Sequence, residues 1–567
     1  MKCKRGNQRG IVLFAVLGLS AMLTLIASTF LSTAHTAVRT MRNWRRQDEC
    51  FLAAQSAVER AKWELQVAFR NHFQGSPLAR TARKFEWFDT HGSTYIGSSN
   101  PYTAPQNQQV GDATVSVSID GVVQVGNGKR DVLLSASASI EESHRTIQEL
   151  VRYELDSSGV FDYAYFVNNF GWFWGSPIHA FGDVRANGNF SCRYGPKVHG
   201  DVIAAINPAL SAAGSVDGSW SSWSLPTYYS YAHSRARPGD PPHSSYSDGW
   251  RMGYDGDPRE FEELSVLDMP YLGDLSEYES IAQAERGEVK LGNKRVFREI
   301  YDGDGPDETA GTPDDGMLIL EGTANKPIVV DGPVVVRGDV VLKGFITGQG
   351  TIYSGRNIHF ADDVTYVNPP AWIKPDNDPE LTADDNRTRD FIGYAAKGNI
   401  IIGDYTSSTW YNNCGRYMRP SFTKSYETDP SDAPLGYDSD GDPGNGYVFN
   451  GDYTAYDGGQ KLDRYGNVNS RRYFQSSNDD AFRDTNPSNS IDRIDGVCYT
   501  NHVTGGYVGS LTMNGSLVSR DEAINFQGTI NLNWDIRLGS ESQDAMGIDI
   551  YLPRSLQKPQ LEYWREI

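Results

Sequence analysis

Apolar positions near the N-terminus predict one very long helix. Residues 11–31 form an apolar run of 21 residues without a charged side chain. A helix of that length spans about 30 Å, which is the thickness of a bilayer core. Residues 33–73 contain no glycine or proline, so we expect the helix to continue to residue 73.

The second half of this helix carries a narrow apolar stripe. Its members recur at alternating spacings of three and four residues, as in a coiled coil. They are Phe51, Ala54, Val58, Ala61 and Leu65. The stripe predicts that this part of the helix packs on a globular domain or on neighbouring helices.

The pattern changes after the helix. Residues 74–111 are polar and rich in turn-forming residues, which predicts a linker. Apolar and polar residues then alternate over 112–158, and Asp120-Gly121 and Asn127-Gly128 are hairpin-type turn signals between the runs. This segment predicts a small antiparallel sheet on which the long helix can lie.

A strict period of six residues follows between 328 and 364. Its positions are Ile328, Val334, Val340, Ile346, Ile352, Ile358 and Val364, and glycines at 332, 338, 344 and 350 keep the same period. Neither a helix nor a set of hairpins has this period, whereas a β-solenoid with glycines at its corners does. Three short strands would make a triangular coil of about 18 residues.

Weaker matches to the six-residue spacing at 178–190 and 518–536 extend the prediction, although these matches could also arise by chance. The predicted fold class is mainly β, with a long N-terminal transmembrane α-helix, a small antiparallel sheet and an interrupted β-solenoid. The predicted segments are 1–10 (basic leader), 11–73 (helix, 11–31 transmembrane), 74–111 (linker), 112–158 (sheet), 160–550 (solenoid, with insertions near 205–320 and 404–500) and 551–567 (C-terminal tail).

Charge is unevenly distributed along the 567 residues. The net charge is −20, but residues 1–50 hold eight basic and two acidic side chains, so residues 51–567 carry −26. An acidic body argues against nucleic-acid binding, which needs basic surfaces. It suits an exported domain or one that binds cations.

The cysteines give no metal signature. There is no Cys-x-x-Cys pair among Cys3, Cys50, Cys192, Cys414 and Cys498, so no zinc site is predicted. Two alternatives stay open: one disulfide among the last three cysteines, or buried thiols.

Three interpretations of the N-terminus compete. A cleaved secretory signal has a shorter apolar run, of about 7–15 residues. A plain membrane anchor fits the length, but four basic residues on each side of the run give no clear orientation. The third interpretation is a basic leader that ends at Gly10 and is removed before Ile11.

The junction Arg9-Gly10-Ile11, followed by Val-Leu-Phe, resembles the cleavage site of type IV prepilins. The stretch LAAQSAVERA at 52–61 is similar to a segment of minor pilins of the PilX type. The resemblance implies cleavage after Gly10 by a prepilin peptidase and assembly with other pilin-like subunits. One position departs from the pattern: Ala15 stands at the fifth mature position, where most pilins have Glu, and minor pilins and the tip pseudopilin of type II secretion resemble this departure.

The solenoid segment has a resemblance of its own. The triplet Gly338-Asp339-Val340 resembles those of bactofilin-like proteins, which form polymers. This likeness implies a fold and leaves the function open.

Acidic loops are candidate calcium sites. Asp438, Asp440 and Asp442 match the first three ligand positions of an EF-hand loop, although later positions do not fit. Asp302 and Asp304 repeat the theme in a second loop. The alternative is that these turns are merely solvated, and no other cofactor is predicted.

Two further features bear on function. We expect the aromatic segment 166–174 to cap an open end of the solenoid, with stacking on sugar rings as the alternative. The neighbouring carboxylates Asp362 and Asp363 are the tempting catalytic pair. Since no metalloprotease, nucleophile-elbow, P-loop or dinucleotide motif is present, we expect no enzyme.

The sequence therefore favours a minor pilin-like, single-pass inner-membrane protein that presents an acidic β-solenoid in the periplasm or outside the cell. Its role would be pilus or secretion-system assembly, or adhesion. The expected partners are the lipid bilayer, other pilin-like subunits and a prepilin peptidase, with surface polysaccharide as a further candidate. The alternatives are an anchored carbohydrate-binding or polysaccharide-cleaving solenoid and a self-assembling bactofilin-like scaffold.

Overall fold

The fold is known from a computed structural model, which describes residues 8–73, 108–218, 267–372, 384–415, 479–538 and 548–567. Short gaps within these ranges are 127–128, 169–170, 189, 199–201, 208–211, 214–215, 268, 271, 273–274, 311–314, 502, 521 and 527. The chain forms a long helix, then an antiparallel sheet, then a domain of stacked parallel strands.

The N-terminal element is a single helix, α1 (Gln8–Phe73), of 66 residues. At 1.5 Å per residue it is about 100 Å long. Threonine hydroxyls bond back to the helix itself: Thr24 Oγ1 donates to the Ser20 carbonyl at 2.7 Å and Thr33 Oγ1 to the Thr29 carbonyl at 2.8 Å. Both hydroxyl donors are thereby satisfied within the helix itself.

An antiparallel sheet follows, with strands β1 (Gln108–Val110), β2 (Ala113–Gly126), β3 (Lys129–Ile140) and β4 (Ser143–Asp156). Alternate residues such as Val117, Leu134 and Val151 are buried under α1. The opposite face is polar and includes the contact between Ser137 and Thr146 hydroxyls at 2.8 Å. The alternation in the sequence thus becomes one helix-covered face and one polar face. Strand β2 runs through Asp120-Gly121 with only a register shift between Ile119 and Gly121, so the turn predicted there is wrong.

The stacked domain contains most of the remaining strands. In chain order they are β5 (Tyr165–Val167), β6 (Gly171–Trp174), β7 (Ile178–Phe181), β8 (Val184–Ala186), β9 (Phe190–Arg193), β10 (Lys197–Val198), β11 (Val202–Ala204), β12 (Ile206–Asn207), β13 (Ala212–Ala213), β14 (Val216–Gly218), β15 (Glu288–Leu291), β16 (Lys294–Arg298), β17 (Ile300–Tyr301), β18 (Leu318–Gly322), β19 (Ile328–Asp331), β20 (Val334–Val336), β21 (Val340–Ser354), β22 (Ile358–Tyr366), β23 (Phe391–Ala396), β24 (Ile400–Ile402), β25 (Arg493–Thr500), β26 (Val503–Tyr507), β27 (Ser510–Ser519), β28 (Glu522–Phe526) and β29 (Thr529–Trp534). Three helices belong to the same domain: α2 (Ser276–Glu285), α3 (Ser408–Asn413) and α4 (Asp479–Asp484).

Parallel pairing arranges most of these strands in three stacks, which we call A, B and C. Strands β6, β9 and β14 pair in a separate parallel sheet, and β12 pairs antiparallel with β13. Stack A contains β18, β24, β26 and β28; stack B contains β17, β20, β23, β5, β8 and β11; stack C contains β19, β29, β7 and β10; β21, β22, β25 and β27 bend and contribute to more than one stack. In the regular part each strand pairs with the strand 18 residues later, as in Val340 with Ile358 and Val334 with Ile352. This offset is the one that the six-residue period predicts for a coil of three short strands.

The interior of the stacks is mainly apolar, and hydrogen-bonded polar side chains such as Asp339, Asn357 and Asn399 are also buried in the domain. The seven residues of the six-residue period, from Ile328 to Val364, are all fully buried there. Helices and loops cover the outer faces of stacks A and B, which explains strands that are apolar on both sides, such as Val334–Val336 and Ile400–Ile402.

The coils do not stack in the order of the sequence. Ser519 in β27 pairs with Val167 in β5, and Ile530 in β29 pairs with Ile178 in β7, both in parallel. The first coils of the domain, 165–218, therefore continue the stack beyond its last coils. Because this junction lies in the middle of the stack, the first and last strands of the domain lie at a similar height along the stacking direction.

The aromatic segment 166–174, which we expected to cap an open end of the solenoid, lies in the middle of the stack. Strand β5 has parallel neighbours on both sides, β27 and β8, so this segment does not cap an end. One end of stack C is instead closed by β15, which pairs antiparallel with β19 and forms a hairpin with β16. Antiparallel pairing ends the parallel register there.

Two predicted boundaries also change. Strand β25 (Arg493–Thr500), expected within the second insertion, is a full member of stacks B and C. Residues 551–567, expected as a tail, contain β30 (Ser555–Leu556) and β31 (Gln560–Glu566), and both pair antiparallel with β4. The chain thus returns at its end to the sheet that precedes the stacks.

One corner glycine shows how closely the coils approach. Gly344 has φ +88°, and a Cβ built on it would lie 1.9 Å from the Gly322 carbonyl oxygen of the adjacent coil. A side chain at this position therefore meets both backbone strain and a clash with main chain.

We expect Gly344→Ala to lower the free energy of unfolding of the stacked domain by about 3 kcal/mol or more. Denaturant unfolding of the full chain in detergent measures the change. Gly509→Ala is the matched control, because its Cβ would meet nothing within 4 Å and its φ is not positive. Equal stability of the two variants would contradict the tight-corner explanation.

Candidate membrane and assembly site

The first part of α1 presents its apolar side chains outward. Phe14 is 80% exposed and Leu25 is 67% exposed. By length and composition α1 is able to cross a bilayer, and none of its apolar stretch is buried against the rest of the protein. Exposure of a continuous apolar surface of this size indicates a membrane or an assembly partner.

Between the apolar run and the sheet, α1 is a bare stalk. Side chains from 32 to 45 are exposed, and the first buried residue of the helix is Cys50. The stalk from 32 to 45 is about 21 Å long at 1.5 Å per residue. It separates the apolar run from the globular part of the protein.

The predicted stripe is the part of α1 that packs on the sheet. Ala54, Val58, Ala61 and Leu65 are fully buried against β2, β3 and β4. Phe51 is partly buried and meets the ring of Trp564 edge-on at 6.2 Å. The stripe is thus satisfied within the chain, and the opposite side of the helix, including Leu52 and Trp63, is exposed.

A charged contact fixes the helix on the sheet. Lys62 Nζ lies 2.9 Å from Glu149 Oε2 and 2.5 Å from Glu59 Oε1, and the Glu149 side chain is only 4% exposed. Tyr153 donates its hydroxyl to the Lys62 carbonyl at 3.3 Å. Burial lowers the pKa of Lys62, but the hydrogen bonds to Glu59 and Glu149 outweigh it and raise the pKa above its usual value. The ammonium is therefore held in its charged form.

The C-terminal strand completes this site. Strand β31 pairs with β4 along its length, and Arg145 Nη1 lies 2.7 Å from Glu566 Oε1 while Arg152 Nη1 lies 3.0 Å from Glu562 Oε1. Trp564 of the same strand supplies the ring that meets α1. Sequence reasoning missed this strand, and the alternation in its seven residues is too short to be decisive.

The residues predicted for processing are at the beginning of the helix. The helical segment includes Gly10 and Ile11, so the Gly10–Ile11 bond lies in its first turn. The structure describes nothing of their side chains. Cleavage there stays a prediction.

The calcium candidates differ in their surroundings. Asp438, Asp440 and Asp442 lie outside the described residues. Asp302 accepts a hydrogen bond from Arg337 Nη1 at 2.6 Å. Within the described ranges, no group of three or more His, Cys, Asp or Glu side chains is arranged to hold a metal ion. The ion pair with Arg337 gives Asp302 a structural partner, and calcium binding at Asp302 and Asp304 stays a prediction.

The candidate catalytic pair has a structural role. Asp363 Oδ1 accepts backbone hydrogen bonds from Asp492 at 2.7 Å and Arg493 at 3.0 Å, which fixes the start of β25. Asp362 Oδ1 accepts the backbone N–H of Asp363 at 2.9 Å. One oxygen of each carboxylate is thus engaged by backbone N–H groups.

Four cysteines lie in the described part of the chain, and they form no disulfide there. They are Cys50, Cys192, Cys414 and Cys498, and all are buried. Burial also raises the pKa of the Cys498 thiol. The alternative of buried thiols therefore holds for these four residues.

Comparison with known proteins yields matches among solved structures and no family. Searches find no matching family model and no matching curated protein. The competence-associated pilin ComZ from Thermus thermophilus is similar to this chain at 10% identity, covering 92% of this chain and 98% of ComZ, with a TM-score of 0.23. At that TM-score the likeness carries no argument about fold or function.

The buried ion pair generates a stability prediction. We expect Lys62→Met to weaken the protection of β4 amides from hydrogen exchange by about 3 kcal/mol, because Glu149 would keep its charge in a buried position. Hydrogen-exchange mass spectrometry of the full chain in detergent measures this. Above the usual lysine pKa of about 10.4, wild type should lose the same protection as the pH passes the raised pKa of Lys62.

Arg45→Gln is the control on the same helix. Arg45 pairs with Glu49 at 2.8 Å, but its side chain is 82% exposed, so we expect a change below about 0.5 kcal/mol. If both variants weaken the sheet equally, burial of Glu149 is not the cause.

Proposed function

We propose that this protein is a minor pilin-like envelope protein whose role is assembly and not catalysis. Its apolar helix rests in the inner membrane with the N-terminus in the cytoplasm, and a prepilin peptidase removes the first ten residues. The mature helix then joins those of other pilin-like subunits and presents the acidic stacked domain outside the membrane.

The observation that carries this proposal is the architecture of α1. One continuous helix has an apolar, fully exposed first half, and its second half packs through a narrow stripe on an antiparallel sheet. The resemblance of the Arg9-Gly10-Ile11 junction to prepilin cleavage sites supports the same proposal. A simple anchor explains the apolar run and leaves the junction unexplained.

Two alternatives fit less well. A bactofilin-like scaffold would grow end to end, but the antiparallel hairpin β15–β16 interrupts the parallel register at one end of stack C. A polysaccharide-cleaving enzyme would use a carboxylate pair such as Asp362 and Asp363, which instead hold backbone groups.

Processing is tested directly at the N-terminus. We expect protein recovered from its own cell to begin at Ile11, and Gly10→Ala to keep the full leader, as measured by intact mass and N-terminal sequencing. Gly18→Ala, a glycine-to-alanine change within the apolar run, should be processed normally because its Cβ would meet nothing within 4 Å. A wild-type chain that retains its first ten residues would refute the prepilin proposal.

A second candidate function is polysaccharide binding on the stacked domain. Trp174 ends β6 and is 46% exposed, and it pairs in register with Arg193 at the end of β9. The Arg193 guanidinium lies 4.6 Å from the Trp174 ring centroid, and the next residue, Tyr194, is 77% exposed with φ +64°. Two exposed rings on adjacent coils offer a surface for stacking on sugar rings.

We expect the full chain in detergent to bind a neutral soluble glucan, and Trp174→Ala and Tyr194→Ala each to weaken binding about fivefold. Titration calorimetry measures the affinities. Phe345→Ala is the control, since Phe345 is also exposed (40%) but lies in the regular coils. No binding by wild type, or an equal loss in the control, would remove this candidate.

A further inference from the structure

A basic stripe lies on the stalk of α1, directly after the apolar run. Arg39, Arg42 and Arg46 follow one another at spacings of three and four residues, so they project from one side of the helix, and His35 precedes them by four. The chain has no acidic residue before Asp48. This stripe contrasts with the charge of −26 carried by residues 51–567.

Contacts within the chain account for only part of the positive charge. Arg46 Nη2 lies 2.7 Å from Glu141 Oε1, at the turn between β3 and β4. Arg45, on a neighbouring side of the helix, pairs with Glu49 at 2.8 Å. Arg39 and Arg42 are exposed and have no ion pair among the residues that the structure describes.

The position of these two arginines along the helix is informative. Arg39 lies eight residues beyond the end of the apolar run, or about 12 Å, and Arg42 lies about 16 Å beyond it. The headgroup layer extends roughly 5–8 Å beyond the hydrocarbon on each side of a bilayer. Side chains on a helix tilt toward its N-terminus, which here is toward the membrane, and long basic side chains reach back to the interface.

We propose that Arg39 and Arg42 bind the phosphate groups of anionic phospholipids in the leaflet next to the globular domains. A guanidinium presents a planar set of donors that matches phosphate in a bidentate manner. The stripe is also the first charged surface that the helix meets after leaving the hydrocarbon. The proposal needs only a membrane-spanning α1, and it stands whether or not the leader is removed.

The acidic body gives this contact a consequence. An anionic leaflet repels residues 51–567, whose charge is −26, while it attracts the arginine stripe. The two effects oppose each other along the axis of α1. Arg42 lies eight residues, or about 12 Å, before Cys50, and this distance is more than a Debye length, which is about 8 Å at physiological salt. The bound lipids would therefore fix how deep the helix sits and hold the sheet away from the bilayer.

The test uses the full chain in mixed micelles with equal amounts of phosphatidylglycerol and phosphatidylcholine. Native mass spectrometry counts the lipids retained by each protein. We expect wild type to retain phosphatidylglycerol at least fivefold over phosphatidylcholine. The double variant Arg39→Gln/Arg42→Gln should lose at least about half of that preference, and the leader residues Lys2, Lys4, Arg5 and Arg9 account for the remainder. The preference of wild type should also fall between 50 and 500 mM salt.

The control removes the same charge elsewhere. Arg295→Gln/Arg298→Gln lies on the β15–β16 hairpin, where both arginines contact Glu288, and it should keep the wild-type preference. Circular dichroism checks that helix content is the same in all variants. An unchanged preference in the Arg39/Arg42 variant, or none in wild type, overturns the proposal. So does a dimer, formed without lipid, that only this variant loses, because the arginines would then bind a second copy of the chain.

Discussion

The structure depends on a parallel contact between strands that are far apart in the sequence. Strands β27 and β29 near the C-terminus pair with β5 and β7, which open the domain. This contact closes the hydrophobic interior between the last coils and the first ones. It also brings the end of the chain close enough to the start of the domain for β31 to join β4.

The local geometry of the stacks was predictable because it repeats within a short window. A six-residue period places each branched side chain at the same point of a strand, and 18 residues bring the chain round to pair with itself. Parallel pairing between β29 and β7 has no such local signal, since more than 300 residues separate Ile178 from Ile530. The order of the coils was therefore beyond sequence reasoning, and so was the middle position of the aromatic segment.

In the helix site, too, one part could be predicted from the sequence and another part could not. The stripe from Phe51 to Leu65 follows from spacing alone, because one side of a helix must be apolar to pack. The ion pair of Lys62 with Glu149 does not, since the two residues meet only after the sheet has formed. Arg537 is a further example: it is fully buried, pairs with Asp535 at 2.6 Å and donates to the Asp390 carbonyl at 2.9 Å. A buried arginine of this kind carries no signal in the sequence.

The two helices that flank the second insertion determine how a change in its length would affect the fold. Helices α3 and α4 flank residues 416–478, and Trp410 and Phe482 from the two helices are fully buried in one cluster on the outside of stack A. The entry and exit of that segment are thus clamped at one place, while the ladders beneath run undisturbed. Loop closure costs little more for a long segment than for a short one. A change in the length of this segment should therefore cost little free energy and leave the coils beneath it intact.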